Sequence, residues 1–179
     1  MISRFSLPTL ARIGALKSAF LGLFASSYLL YAYVAHRPVV CGSSSGCEIV
    51  RLSKWAYVFG TIPRPLLGVA FYAAILLLLL VRLTLRSHQK PLWRLMQVLA
   101  VIGVVESVFL FFVQWRELGA FCLWCLLSAV AAVGVGVAAF FDRPIQDEGE
   151  TRSAELRLTL NVLGVLSVLF LTGLWLLLR

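Results

Sequence analysis

Five long apolar runs divide the chain, with polar stretches between them. The first lies between Ala19 and Ala35 and extends back to about residue 14. The others are Leu66–Val81, Leu95–Val113, Gly119–Phe141 and Leu158–Leu178. None alternates with period two, which argues against a β-barrel. A helix needs about 20 apolar residues to cross the hydrocarbon of a bilayer. The pattern therefore predicts spans at 14–35, 66–81, 95–113, 119–141 and 158–178, within a single membrane domain over 1–179. The polar stretches become a loop at 36–64, a short turn near 114–121 and a loop at Asp142–Arg157, where Pro144 and Gly149 fall.

Local signals refine these boundaries. The first run exceeds the roughly 7–15 apolar residues of a secretory signal, and Tyr33 occupies the position two before Ala35 where cleavage needs a small residue. It reads as a retained span. The second is entered through Ile62-Pro63-Arg64-Pro65, and prolines are tolerated where the first-turn N–H groups have no partners. Gly14, Ser18, Gly22 and Ser26 recur every fourth residue on the first span, as do Ala132 and Gly136 on the fourth. Small residues at that spacing let helix backbones approach closely.

Composition excludes the soluble classes. The chain is 61% hydrophobic and 13% charged, against about 45–50% and 25% for an ordinary soluble domain. The net charge of +8 is not a nucleic-acid footprint, because the Lys and Arg sit between the apolar runs. Ten lie on the side of the N-terminal tail, from Arg4 through Arg86 to Arg157, and six on the other, including Arg37, Arg51 and Arg64. The bias predicts a cytoplasmic N-terminus, an exterior C-terminus, and an exterior position for loop 36–64 and the 114–121 turn.

On that topology all four cysteines reach the exterior face, where disulfides persist. Cys122-Leu123-Trp124-Cys125 opens the fourth span. At a helix N-terminus the unpaired N–H groups and the dipole favour a thiolate on the first cysteine, and the i, i+3 spacing puts both sulfurs on one face. Cys41 and Cys47 flank Gly42-Ser43-Ser44-Ser45-Gly46, a flexible connector. Two buried inert thiols, a static loop disulfide, or a four-cysteine zinc site are the alternatives. Neither His36 nor His88 adds to the last, and no metal site is expected.

After Cys47, the residues Leu52, Trp55, Ala56 and Phe59 follow helical spacing within Glu48–Phe59. This predicts a short amphipathic helix in the interface, lying as a lid over the exterior end of the bundle. Glu106 is an acidic residue deep in the third span, a costly placement that fits either a proton relay or a bond to a neighbouring helix. Asn161 in the fifth span reads as a helix-to-helix contact.

The order of these elements resembles the vitamin K epoxide reductase family in its bacterial form. The residues carrying the resemblance are Cys41-x5-Cys47, Ser53-Lys54-Trp55, Ile62-Pro63 with Gly68, and Phe121-Cys122-Leu123-Trp124-Cys125, within about residues 14–141. The resemblance implies an all-α integral membrane protein: a four-helix transmembrane bundle around a quinone, plus a fifth helix. It implies that Cys41 exchanges with a partner, Cys47 passes electrons to Cys122, and Cys125 sits against ubiquinone or menaquinone. Ser53, Trp55, Phe121 and Ala129 are the implied quinone-binding positions. Many bacterial members continue into a thioredoxin-fold domain. This chain stops at Arg179, so the expected partner is a separate periplasmic or exported thioredoxin-fold protein, DsbA-like, served from a bacterial inner membrane.

Two positions depart from the animal enzymes, which hold the vitamin K head group with an asparagine and a tyrosine. Here Arg64 and Ala129 fall in those places, which favours plain quinone reduction over epoxide reduction. A DsbB-like oxidase would carry its C-x-x-C in the first exterior loop, the reverse of the order here. A non-enzymatic metal-binding membrane subunit is the expectation from a different class.

Overall fold

A computed structural model describes residues 7–42, 45–84 and 89–142, together with Asn161, Val165, Val168 and Thr172. Four helices in it are long and apolar enough to cross a membrane. They are α1 (Leu7–Val34), α3 (Arg64–Thr84), α4 (Gln89–Val113) and α5 (Leu123–Phe141). The short α2 (Gly46–Leu52) lies between α1 and α3. The chain is thus an all-α membrane protein. The predicted span at 158–178 falls almost wholly outside the described residues; its four described positions are helical.

The four long helices form a ring in which α1 packs on α3 and α5, and α4 closes the other side against the same two. Neighbours along the chain run antiparallel, as short connections require. The seam of small residues on α1 explains the tight approach. A Cβ added to Gly22 would fall within 2.1 Å of the Tyr72 ring on α3, and Ser26 and Ser18 of α1 lie against Gly68 of α3 and Gly134 of α5. Leu16, Ala19, Tyr72, Ile75, Met96, Ala100 and Val135 fill the centre. Large apolar side chains such as Val105, Val133 and Phe140 point outward, as expected for a lipid-facing surface.

The two ends of the bundle differ. At one end Asp142, 1% exposed, accepts hydrogen bonds from Arg12 at 3.0 Å and from Arg82. Gln89 donates to the Arg82 carbonyl at 2.6 Å. This knot ties the start of α1, the ends of α3 and α5, and the start of α4.

At the other end the connection between α1 and α3 differs from the continuous amphipathic helix expected over Glu48–Phe59. The helix ends at Leu52. Ser53 is extended (φ −76°, ψ 158°), and its hydroxyl donates to the Val50 carbonyl at 2.8 Å, the local competition that makes serine a helix terminator. A single 3-10 turn, Lys54–Ala56, follows. Then β1 (Tyr57–Val58) pairs antiparallel with β2 (Ile62–Pro63) around a turn at Phe59 and Gly60, both at positive φ. Trp55 and Ala56 thus keep their place over the bundle, while Phe59 swings out to the hairpin tip, 93% exposed.

Candidate redox site

Cys41 and Cys47 form a disulfide, with their Cα atoms 5.8 Å apart. Each side of it is held by a different part of the bundle. On the Cys41 side, the N–H of Val40 donates to the Tyr28 hydroxyl at 3.0 Å, and the indole N–H of Trp124 donates to the Val40 carbonyl at 2.7 Å. Trp124 in turn packs on the Tyr28 ring, centroids 4.5 Å apart. The peptide next to Cys41 is therefore clamped by the residue in the middle of the C-x-x-C. On the Cys47 side, α2 begins at Gly46, where an added Cβ would meet the Phe121 carbonyl oxygen at 2.2 Å. Only glycine permits that approach. It seats Cys47 in one buried cluster with Cys41 and Cys122, both Cys47 and Cys122 being 1% exposed. Within α2, Glu48 pairs with Arg51, whose hydrogen bond holds the Glu48 carboxyl below the usual carboxylate range.

Cys122 and Cys125 are free thiols. Cys122 is the N-cap of α5, in extended geometry (φ −92°, ψ 116°), and its sulfur accepts the Cys125 N–H at 3.3 Å. This is a capping arrangement with sulfur in place of the usual side-chain oxygen. The Cys122 thiol lies below its ordinary value. The hydrogen bond from the Cys125 thiol contributes most, the Cys125 and Trp124 N–H groups add to it, and burial opposes it. The Cys122 N–H is itself taken by the Gln114 side-chain oxygen at 2.7 Å. Gln114 begins a π-helical turn, Gln114–Leu118, that ends at Gly119 in the left-handed region (φ 58°), a conformation open to glycine at little cost.

Cys125, one turn further into α5, lines a cavity of about 510 Å³. That volume lies within the roughly 300–1,000 Å³ typical of small-molecule sites. Tyr33, Trp55, Phe71, Tyr72 and Ala129 contribute to its mostly apolar wall. Polar groups interrupt that wall, among them Ser26, Arg64, Glu106, Ser107, Gln114 and Ser128. Arg64, at the start of α3, donates through Nε to the Trp55 carbonyl at 2.7 Å and through Nη1 to the Glu106 carboxylate of α4. Its guanidinium also lies over the Phe109 ring, 5.5 Å from the centroid. Arg64 thus ties the lid segment, α3 and α4 together at the cavity.

Among the sequence-derived candidates, Cys41, Cys47 and Cys122 share one buried cluster with Cys125 packed against it, and Trp55 and Ala129 reach the cavity. Ser53 and Phe121 do not line it. Ser53 caps α2, and Phe121 packs on Phe111, centroids 5.7 Å apart, with its side chain partly exposed. Of the two readings of Glu106, the contact with a neighbouring helix is present, through Arg64. Sequence reasoning missed Gln114, Tyr28 and the role of Gly46. A signal existed only for the last, a glycine immediately before a cysteine. The disulfide takes up two of the four sulfurs that a zinc site would need, and no group of three or more candidate metal ligands occurs among the described residues.

A disulfide and a dithiol packed together beside an apolar cavity, on helices able to cross a bilayer, form a candidate redox site of a membrane protein. The match to known families is more specific. Residues 15–140 fit the family model of the vitamin K epoxide reductase family, and the chain belongs to that family.

Proposed function

We propose that this chain oxidises the dithiol of an exported thioredoxin-fold partner, DsbA-like, and passes the electrons to a lipid quinone, ubiquinone or menaquinone, so supporting disulfide-bond formation. The observation that carries this reading is the arrangement of the sulfurs: the Cys41–Cys47 disulfide in one buried cluster with Cys122, Cys41 next to the exposed Val40 and Gly42 of the loop, and Cys125 on the cavity wall. The partner's thiolate attacks the Cys41–Cys47 disulfide at Cys41. Cys47 leaves as a thiolate, and the partner's second thiol then resolves the mixed disulfide. Once the Cys122/Cys125 dithiol has given two electrons and two protons to a quinone and closed as a disulfide, the Cys47 thiolate attacks that disulfide at Cys122, Cys125 leaves as a thiolate, and Cys41 resolves the Cys47–Cys122 bond, which restores the loop disulfide and the dithiol. Two electrons and two protons leave the partner dithiol, and a quinone accepts both pairs on becoming a hydroquinone.

The residues present fit such an acceptor. The wall is mostly apolar with a few polar groups, Arg64 and Glu106 among them, the kind of site that orients a ring bearing carbonyl oxygens. Arg64 retains guanidinium N–H groups beyond the two already engaged. The placement of this chemistry on the exterior face of a bacterial inner membrane, with a cytoplasmic N-terminus, follows from the charge bias and from the compartment in which disulfides persist.

The test is turnover in proteoliposomes containing the full chain, a short-chain quinone and a reduced thioredoxin-fold protein. Quinone reduction should be stoichiometric with partner oxidation. Full activity in a Cys125→Ala chain would rule the scheme out.

A further inference from the structure

Gln114 is buried at 3% exposure, and the turn between α4 and α5 converges on it. Its backbone carbonyl accepts the Gly119 N–H and, at 3.3 Å, the Ala120 N–H. Its side-chain amide donates to the Leu110 carbonyl at 3.3 Å, and its side-chain oxygen accepts the Cys122 N–H at 2.7 Å. Both ends of the amide are satisfied, which is the condition under which a buried polar side chain fixes one geometry. The π-helical turn that begins here is an uncommon element, found disproportionately at functional sites. Gln114 also lines the cavity that Cys125 faces.

The consequence is a chain of constraints reaching one sulfur atom. The Cys122 N–H is held by Gln114. That bond pins the extended backbone of Cys122, and the extended backbone places its sulfur over the first turn of α5, where it accepts the Cys125 N–H. Without the Gln114 oxygen, the Cys122 N–H is a buried donor that must find another partner. We infer that Gln114 is the positioning residue for Cys122, holding it as the sulfur N-cap of α5 in the geometry from which it meets Cys47. This role rests on the reading of Cys122 and Cys125 as a redox pair. It is exerted through the Cys122 backbone, although the Gln114 side chain also lines the cavity.

The experiment uses the full-length chain, reduced with a phosphine and pulsed with iodoacetamide across a pH range, reading alkylation at Cys122 by mass spectrometry. Gln114→Met keeps length and removes the acceptor. It should shift the Cys122 midpoint upward by about one pH unit, equivalent to about tenfold slower alkylation near neutrality. A second arm places Gln114→Met and Gln114→Glu in a Cys41→Ala/Cys125→Ala background, where Cys47 and Cys122 can bond only to each other. The Met variant should form that disulfide about tenfold more slowly. The Glu variant, which retains an oxygen for the Cys122 N–H, should form it at the parent rate.

If Gln114→Met lowers thermal stability but leaves the Cys122 midpoint in place, Gln114 merely closes the turn and the assignment fails. It fails also if Gln114→Glu forms the disulfide no faster than Gln114→Met. Should the Met variant not accumulate, slow disulfide formation in the Glu variant alone overturns it. A chain inactive with every quinone, whose midpoint still moved with Gln114→Met, would retain the positioning role while removing the oxidase reading.

Discussion

Gly46 lies so close to Phe121 that a single added methyl group would sit 2.2 Å from the Phe121 carbonyl oxygen. This contact joins the loop disulfide to the residue that precedes the helix-borne dithiol. Gly46→Ala must push α2 away, and because Cys47 is the next residue, the displacement falls on the buried cluster of Cys47 and Cys122. The expected cost in stability is about 1–3 kcal/mol, typical of overpacking. Formation of the Cys47–Cys122 disulfide in a Cys41→Ala/Cys125→Ala chain should drop with it. Thermal unfolding and the yield of the crosslinked species measure the two effects separately.

The middle of the C-x-x-C also acts on the far side of the loop. Trp124→Phe keeps an aromatic ring against Tyr28 but removes the hydrogen bond to the Val40 carbonyl. A loss of about 1 kcal/mol is expected, since water can reach Val40, whose side chain is exposed. The more telling readout is amide hydrogen exchange. Protection at Val40 should fall in Trp124→Phe, while amides in the middle of α5 keep theirs.

The reduced protein should show a pH-dependent contribution from Cys122. Its thiol lies below the ordinary value of about 8.5, chiefly through the hydrogen bond from the Cys125 thiol. A group whose folded pKa is depressed adds stability that is fully present above the unfolded value and is lost as pH falls through the folded one. The stability difference between reduced wild type and reduced Cys122→Ala should therefore widen as pH rises from the folded value toward about 8.5 and then level off. Denaturant unfolding of the two chains at a series of pH values checks the sign.

Much of this organisation was legible in the sequence because it rests on strong local patterns. Apolar runs of span length fixed four helices to within a few residues at most ends, and the spacing of Gly14 through Ser26 marked the α1 seam, although Gly14 itself meets no neighbour. The cysteine clusters were visible as spacing alone. What was not legible depends on three-dimensional partners. The periodicity of Leu52, Trp55 and Phe59 carried the helix past Ser53, because no pattern announces that one serine hydroxyl will bond its own chain at Val50. Phe121 and Ser53 sit beside site residues in sequence, yet their side chains leave the cavity. Gln114 had no signal, since an amide at a span end is ordinary until its partner, 8 residues on, is seen.

On the proposed function the Arg64–Glu106 pair bears on both stability and quinone affinity, and a pair of substitutions separates them. Arg64→Gln alone leaves a carboxylate in an apolar wall, at a cost of up to about 3–5 kcal/mol for breaking a buried pair, reduced here because Glu106 is partly exposed. Arg64→Gln/Glu106→Gln removes both charges and should recover most of that loss. It should not recover the KM for a short-chain quinone, which is expected to stay about tenfold above wild type, the equivalent of one lost hydrogen bond to a charged donor. A double variant with wild-type KM would show that the pair serves only to fasten the lid.

The opposite end of the bundle gives a control for all of these. Asp142 is buried between Arg12 and Arg82, and the knot they form lies a full helix length from the cysteines. Asp142→Asn removes the carboxylate that both guanidinium groups share, and about 3–5 kcal/mol of destabilisation is expected. Because α1, α3 and α5 all meet there, thermal unfolding should remain a single transition at lower temperature. Cys122 alkylation and Cys47–Cys122 crosslinking, measured below that transition, should match wild type. A shift in either would mean that the knot and the redox end are coupled through the helices, and the effects of Gly46 and Trp124 substitutions would then have to be read as changes to the whole bundle.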